Sequence, residues 1–273
     1  MPTDTKVMLD GKLCSAHTAR ISPLHEGFLY GHGLFETIKV HDGRPVFAAA
    51  HHARLSASGL ALDLPYKLPL ATFRERLLKV IASNDVTHGS AKVTVFNNGD
   101  ILGELITTRE LVYSPETYAR GFRLQTRPTG RRVSGLTSHK TLNYLENIRA
   151  RRAALAAGFD EALFIDTAGE VIEGAGTNLF IVRDGVALTP PLASGPLPGI
   201  ARAQVLALLG FARARETILT TADLLSASEV FVTNALLGVM PVSRIDDRTL
   251  PIPQDFTRDL QTTYRARETT QST

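Results

Sequence analysis

The chain has 273 residues, 44% of them hydrophobic, a formal net charge of +3 and a single cysteine, Cys14. That is enough apolar material for one large or two medium domains, and it leaves no internal disulfide and no cysteine-based zinc site. The small charge without a basic, aromatic-interleaved block argues against nucleic acid, and the lack of a long apolar run or signal-peptide h-region argues against a membrane, so a cytoplasmic protein is expected.

The first forty residues read as strands, with hairpins turning at Asp10-Gly11 in VMLDGKL and at Asp42-Gly43 in LFETIKVHDGRPVF. HHARLSASGLALDL predicts a helix that carries Leu55 and Leu60 and breaks near Gly59. ATFRERLLKVIASN predicts a second, with Phe73, Leu77, Leu78 and Ile81 on one stripe. AKVTVFNN and GELITTRELVY read as buried strands, and SPETYARG as a linker of proline, polar residues and glycine. The second half resumes with the strand FRLQTR, a polar loop, and a helix from Lys140 to Gly158. EALFID and VIEGAGTNLFIVRDGVALTP follow as strands and hairpins. PLPGIARAQVLALLG is a glycine loop opening a helix, EVFVTNALLGVMPVSRI is a strand, turn and strand, and the polar last twenty residues form a fraying helix. Strands and helices mixed in two halves predict an α+β protein with domains 1–115 and 116–273.

Two residues carry the chemistry. Only seven lysines occur against twenty-three arginines, and Lys140 is the last of them. Arginine cannot form an imine, so an amine retained at this point is informative. Glu173 follows in VIEGAGTNLF. An amine and a carboxylate in that order suit a pyridoxal phosphate enzyme, which needs a Schiff-base lysine and an acidic partner for the pyridine nitrogen. In PLPGIAR, Gly199 permits a turn, and the Ile200 and Ala201 amides stand at the positive end of the helix they open, where an anion is held. FVTNALLGVMPV offers the Thr233 hydroxyl, Asn234 and local amides, and Arg54 in HHARL is a distant cation. Each has a plain alternative: a surface lysine, an ordinary loop-to-helix glycine, a polar β-turn, a solvated helix arginine.

Taken in order, LYGHGLFETIKVHDGRPVF, HHARL, HKTLNYLEN, VIEGAGTNLF, PLPGIAR and VTNALLGVMPV resemble the fold-type IV pyridoxal phosphate family. That family comprises class IV aminotransferases, including branched-chain and D-amino acid aminotransferases, and aminodeoxychorismate lyase. The resemblance covers nearly the whole chain. It implies a D-amino acid aminotransferase-like fold, with a C-terminal domain that anchors pyridoxal 5'-phosphate, in a homodimer. It makes Lys140 the Schiff-base lysine, Glu173 the pyridine-nitrogen partner and Arg54 the phosphate arginine. The Ile200 and Ala201 amides become the phosphate-binding helix start, and Tyr144 the partner of the phenolic oxygen. Ala201 and Ala235 stand where the family often has threonine, which leaves Thr233 or Asn234 as the side-chain donor.

The D-amino acid branch clamps substrate with an arginine and a histidine where this chain has Asn97, Asn98, Gly99 and Asp100. The K-x-L-N-x-L spacing from Lys140 is similar to the lyase and D-amino acid branches, while GFLYGHGLFET and NALLGVMPV resemble the lyase. The expected reaction is therefore that of 4-amino-4-deoxychorismate lyase, giving 4-aminobenzoate and pyruvate. The alternatives are an aminotransferase for D-amino or branched-chain amino acids and a non-catalytic cofactor-binding paralogue. Arg109, Arg131 and Arg132 are candidates for the substrate carboxylate by charge, and Thr37 for a water or substrate hydroxyl.

Overall fold

The computed structural model describes residues 5–128 and 135–270, and they fall into two compact units. The first comprises Met1–Val112 with Lys140–Asn143 and Glu268–Thr273, and the second Tyr113–His139 with Tyr144–Arg267.

In the first unit β1 (Lys6–Leu9) and β2 (Lys12–Ser15) form the first expected hairpin, and a short α1 (Glu26–Leu29) follows. β3 (Gly33–His41) and β4 (Arg44–Pro45) turn through Asp42 and Gly43, whose φ angles of 49° and 70° match a turn that needs two positive-φ residues. α2 (Ala48–Ala61), α3 (Leu70–Ser83), β5 (Gly89–Asn98) and β6 (Ile101–Glu110) complete the unit, and the sheet runs β2-β1-β6-β5-β3-β4. Along β3, β5 and β6 the odd and even positions divide. Leu34, Ile38, Ala91, Val93, Val95 and Ile106 join Leu55, Phe73, Leu77, Val80 and Ile81 of the helices in one core, each large side chain contributing about 1.5–3 kcal/mol by its burial. The alternate residues stand on the opposite face.

Two expectations need correction here. α2 runs through Gly59 without a break; glycine is required there because a Cβ would lie 2.3 Å from the Leu64 carbonyl oxygen. On α3 the buried stripe takes Val80, whereas Leu78 faces solvent at 43% exposure.

The second unit begins with α4 (Pro115–Arg120), where a linker was expected. Ser114 caps it by accepting from the Thr117 N–H, and Pro115 suits the first turn. Then come β7 (Phe122–Pro128), α5 (Leu145–Ala156), β8 (Glu161–Ile165), β9 (Val171–Gly174), β10 (Asn178–Arg183) and β11 (Val186–Thr189). A 3-10 turn (Leu192–Ser194) leads to α6 (Ile200–Arg213), β12 (Ala214–Glu216), α7 (Thr221–Ser226), β13 (Glu229–Asn234), β14 (Gly238–Ile245), β15 (Arg248–Thr249) and α8 (Asp255–Thr270). The mixed sheet orders β12-β11-β10-β13-β14-β7-β8-β9 among the described residues, with β15 beside β14. Leu179, Ile181, Val230, Val232, Met240 and Val242 form the heart of its core. No helix among the described residues is long and apolar enough to cross a membrane.

Candidate active site

Lys140 does not begin the helix. α5 starts at Leu145, and residues 140–142 lie extended along β3 instead. The Phe35 N–H donates to the Lys140 carbonyl at 2.9 Å, and the Leu142 N–H donates to the Gly33 carbonyl at 2.9 Å. A Cβ on Gly33 would meet the Val95 carbonyl oxygen and Leu142 Cδ1, each at 2.6 Å, so glycine leaves room on both sides. The Lys140 amine sits 4.4 Å from the centre of the Phe35 ring. Its backbone is thereby held by main-chain bonds, independent of what the amine does.

A second amine stands over the same ring: Lys92 Nζ also lies 4.4 Å from the Phe35 centre. Register places Lys92 opposite Thr37 on one side and Thr107 on the other, with Arg109 two residues along, opposite Ser90. Thr37, Lys92, Thr107 and Arg109 therefore share the sheet face that carries Phe35. Lys92 keeps contact with solvent, yet partial desolvation lowers its pKa from the ordinary lysine value. The sequence does not single out Lys92, since AKVTVFNN reads as a buried strand. The signal was there: Ala91, Val93 and Val95 alternate with it.

Arg54, on α2, is tightly engaged. Its Nε donates to Glu36 Oε1 at 2.7 Å and its Nη2 to Oε2 at 2.6 Å, while His51 Nδ1 lies 2.7 Å from the same Oε2. Glu36 is 1% exposed. Burial pushes its carboxyl up, but the Arg54 charge and the His51 contact outweigh that and hold it at about 2. An arginine forked on a carboxylate in this way has its planar donor group fixed in position.

In the second unit a short turn organises the predicted residues. Glu173 is the penultimate residue of β9, 6% exposed, and Ala175-Gly176 follow the strand. Four side chains grip that turn. Tyr144 Oη and Asn147 Nδ2 donate to the Ala175 carbonyl at 3.0 and 2.9 Å, Asn234 Nδ2 donates to the Gly176 carbonyl at 3.0 Å, and the Gly176 N–H donates to Glu161 Oε2 at 3.1 Å. Burial pushes the Glu161 carboxyl up to about 7. Glu173 Oε2 accepts from the Leu197 N–H at 2.9 Å, and Asn178 Nδ2 donates to the Leu197 carbonyl at 2.9 Å. Both sides of one peptide segment are thus pinned just before Gly199, where a Cβ would fall 2.0 Å from Asn178 Oδ1. The pinned loop delivers Ile200 and Ala201 to the first turn of α6, which has no side-chain cap. Thr233 pairs across from Asn178 on the neighbouring strand. It is 0% exposed, and its hydroxyl has no partner among the described residues.

The amino-transferase class IV model matches residues 33–245. The chain belongs to the class IV aminotransferases. This is a family of pyridoxal 5'-phosphate enzymes of fold type IV. A Methanocaldococcus jannaschii protein provisionally named a branched-chain-amino-acid aminotransferase is 31% identical, over 95% of this chain and 95% of its own. The Escherichia coli branched-chain amino acid aminotransferase structure matches with a TM-score of 0.88 at 25% identity, over 96% of this chain and 94% of that one. A Legionella pneumophila structure provisionally named 4-amino-4-deoxychorismate lyase matches with a TM-score of 0.86 at 29% identity, over 93% and 97%.

Two of the residues expected to meet the cofactor also hold backbone groups in this class IV chain. Tyr144 gives its single O–H to Ala175. The Asn234 Oδ1 accepts from the Leu236 and Leu237 N–H groups at 2.9 and 2.8 Å, so that side chain shapes the β13–β14 turn. Arg131 and Arg132 lie outside the described residues.

Proposed function

We propose that this class IV enzyme is a 4-amino-4-deoxychorismate lyase. One observation carries the reading: the second amine, Lys92, over the ring that bears Lys140. A branched-chain substrate would press an aliphatic group toward this face and strip water from the ammonium without replacing it. A substrate with two carboxylates meets Lys92 with charge, and Arg109 lies on the same face for the other. The Legionella lyase-named neighbour supports the same choice.

The residues suit pyridoxal 5'-phosphate: an amine at 140, a buried carboxylate at 173, uncapped amides at 200 and 201, and the unpartnered Thr233 hydroxyl. The family resemblance assigns Arg54 to the phosphate. Tyr144 enters as a residue that positions the Ala175 turn, with Asn234 beside it. When bound, the cofactor supplies the electron sink for the charge left by a departing proton. Lys140 takes that proton from the substrate carbon bearing the amine. Lys92 holds a carboxylate in place while the enolpyruvyl carbon–oxygen bond breaks, and Thr37 holds a water or substrate oxygen on the same face. The ring becomes aromatic, the enolpyruvyl group leaves as enolpyruvate, and the proton taken up by Lys140 balances the one gained at its methylene carbon to give pyruvate. Leu24, Phe28, Leu29 and Tyr30 stand more than half exposed around α1, an apolar patch suited to the second copy of a homodimer.

Enzymatically generated 4-amino-4-deoxychorismate should yield 4-aminobenzoate and pyruvate with no keto acid present. Lys92→Ala should lower kcat/KM for it about ten- to hundredfold, the worth of a charged contact of about 1.5–3 kcal/mol. Turnover that needs a keto acid, with L-leucine or D-alanine as donor and Lys92→Ala indifferent, would make the protein an aminotransferase instead.

Glu173→Gln is expected to keep the cofactor but lose about two to three orders of magnitude in kcat, because a neutral amide no longer holds the ring nitrogen protonated. Steady-state rates on the loaded variant check this; undiminished turnover would remove Glu173 from the site.

A further inference from the structure

At the tip of the β3–β4 hairpin, six residues along β3 from Phe35, three metal-ligating side chains converge. β3 and β5 pair antiparallel as far as Val40 opposite Gly89, so His41 and His88 leave the ladder side by side. Their ring centres are 5.1 Å apart. Asp42 reaches both: its Oδ2 lies 3.6 Å from His41 Nε2, and its Oδ1 lies 3.6 Å from His88 Nε2. One ligand atom from each of the three falls within 4.8 Å of the others. The backbone beneath is fixed. His41 pairs with Arg44 across the turn, and the Gly43 N–H donates to the Thr87 carbonyl at 2.9 Å, tying the turn to the residue before His88.

Two imidazoles and one carboxylate suit a first-row transition ion, whereas calcium and magnesium call for more oxygen ligands. Ligand atoms around a tetrahedral zinc with bonds of about 2.0–2.1 Å stand about 3.3 Å apart. Each carboxylate oxygen is 3.6 Å from one imidazole, and a single ligand atom from each residue falls within 4.8 Å of the others, so the three must draw together around an ion. The side chains have room to close further, at 36%, 70% and 44% exposure for His41, Asp42 and His88. We propose that His41, Asp42 and His88 bind one divalent transition-metal ion of the zinc class. The ion clasps the hairpin turn to the head of β5, and water fills its remaining positions. Histidine–aspartate contacts without a metal are the competing account.

The experiment uses full-length, cofactor-loaded protein dialysed free of excess cofactor. Co²⁺ should give ligand-field absorption saturating at one equivalent per chain, and Zn²⁺ should displace it and raise Tm. His41→Ala and His88→Ala, at half-buried and exposed positions respectively, should each weaken Co²⁺ and Zn²⁺ binding at least tenfold and abolish the Tm rise, with the catalytic rate of the metal-free protein unchanged. No saturable binding below millimolar ion, or wild-type affinity in either variant, would overturn the site.

Discussion

Lys140→Ala is expected to lower turnover by about four orders of magnitude or more, the scale on which a nucleophile that is also the acid–base group is lost. Lys140→Arg should be nearly as inactive, since a guanidinium neither forms an imine nor exchanges protons near neutral pH. Neither change should unfold the protein. The segment is held by the Phe35–Lys140 and Gly33–Leu142 main-chain bonds, which any side chain preserves. Lys92 makes the measurement sharp, because it puts a second amine over the same Phe35 ring. Borohydride reduction of the loaded enzyme followed by peptide mapping should place the pyridoxyl group on Lys140 alone. Recovery of the label on Lys92 would exchange the roles of the two lysines.

Arg54→Ala should destabilise the first unit by about 3–5 kcal/mol at pH 7, the usual cost of stranding one member of a buried ion pair. Glu36 would then keep a charge in the core with only His51 beside it. The effect on cofactor affinity must therefore be read from protein shown to be folded. The pH dependence has a definite sign. Glu36 is held at about 2 in the folded chain, below its ordinary 4.5, so its contribution is fully present above about 4.5 and fades as pH falls toward 2. Urea denaturation at pH 7 and pH 3.5 should show the wild type losing stability on acidification and Arg54→Ala losing less. Glu36→Gln with Arg54→Met should recover much of the loss at pH 7, because no charge is then left buried. Equal stability of Arg54→Ala and wild type at pH 7 would return Arg54 to a solvated surface role.

Local physics wrote much of this protein into its sequence. The Asp10-Gly11 and Asp42-Gly43 turns, the α3 helix and the Gly199 entry to α6 each follow from a few neighbouring residues, whose backbone preferences and periodicity act without the rest of the chain. The motifs around Lys140, Glu173 and VTNALLGVMPV carried the family in the same way, through residue types that the chemistry cannot replace. What only tertiary structure decided depends on partners distant in sequence. Gly59 looked like a helix breaker until the Leu64 carbonyl was found packed against it. Lys140 looked like a helix start until β3 was found to hold it extended, a hydrogen-bonding choice set more than a hundred residues away. Arg54 and Glu36 are 18 residues apart, on a helix and a strand, and only packing could reveal that the arginine is anchored on a buried carboxylate. Lys92 was hidden for a similar reason: alternation along β5 says that it faces away from the core, but only the cross-strand register says that it faces the ring beneath Lys140.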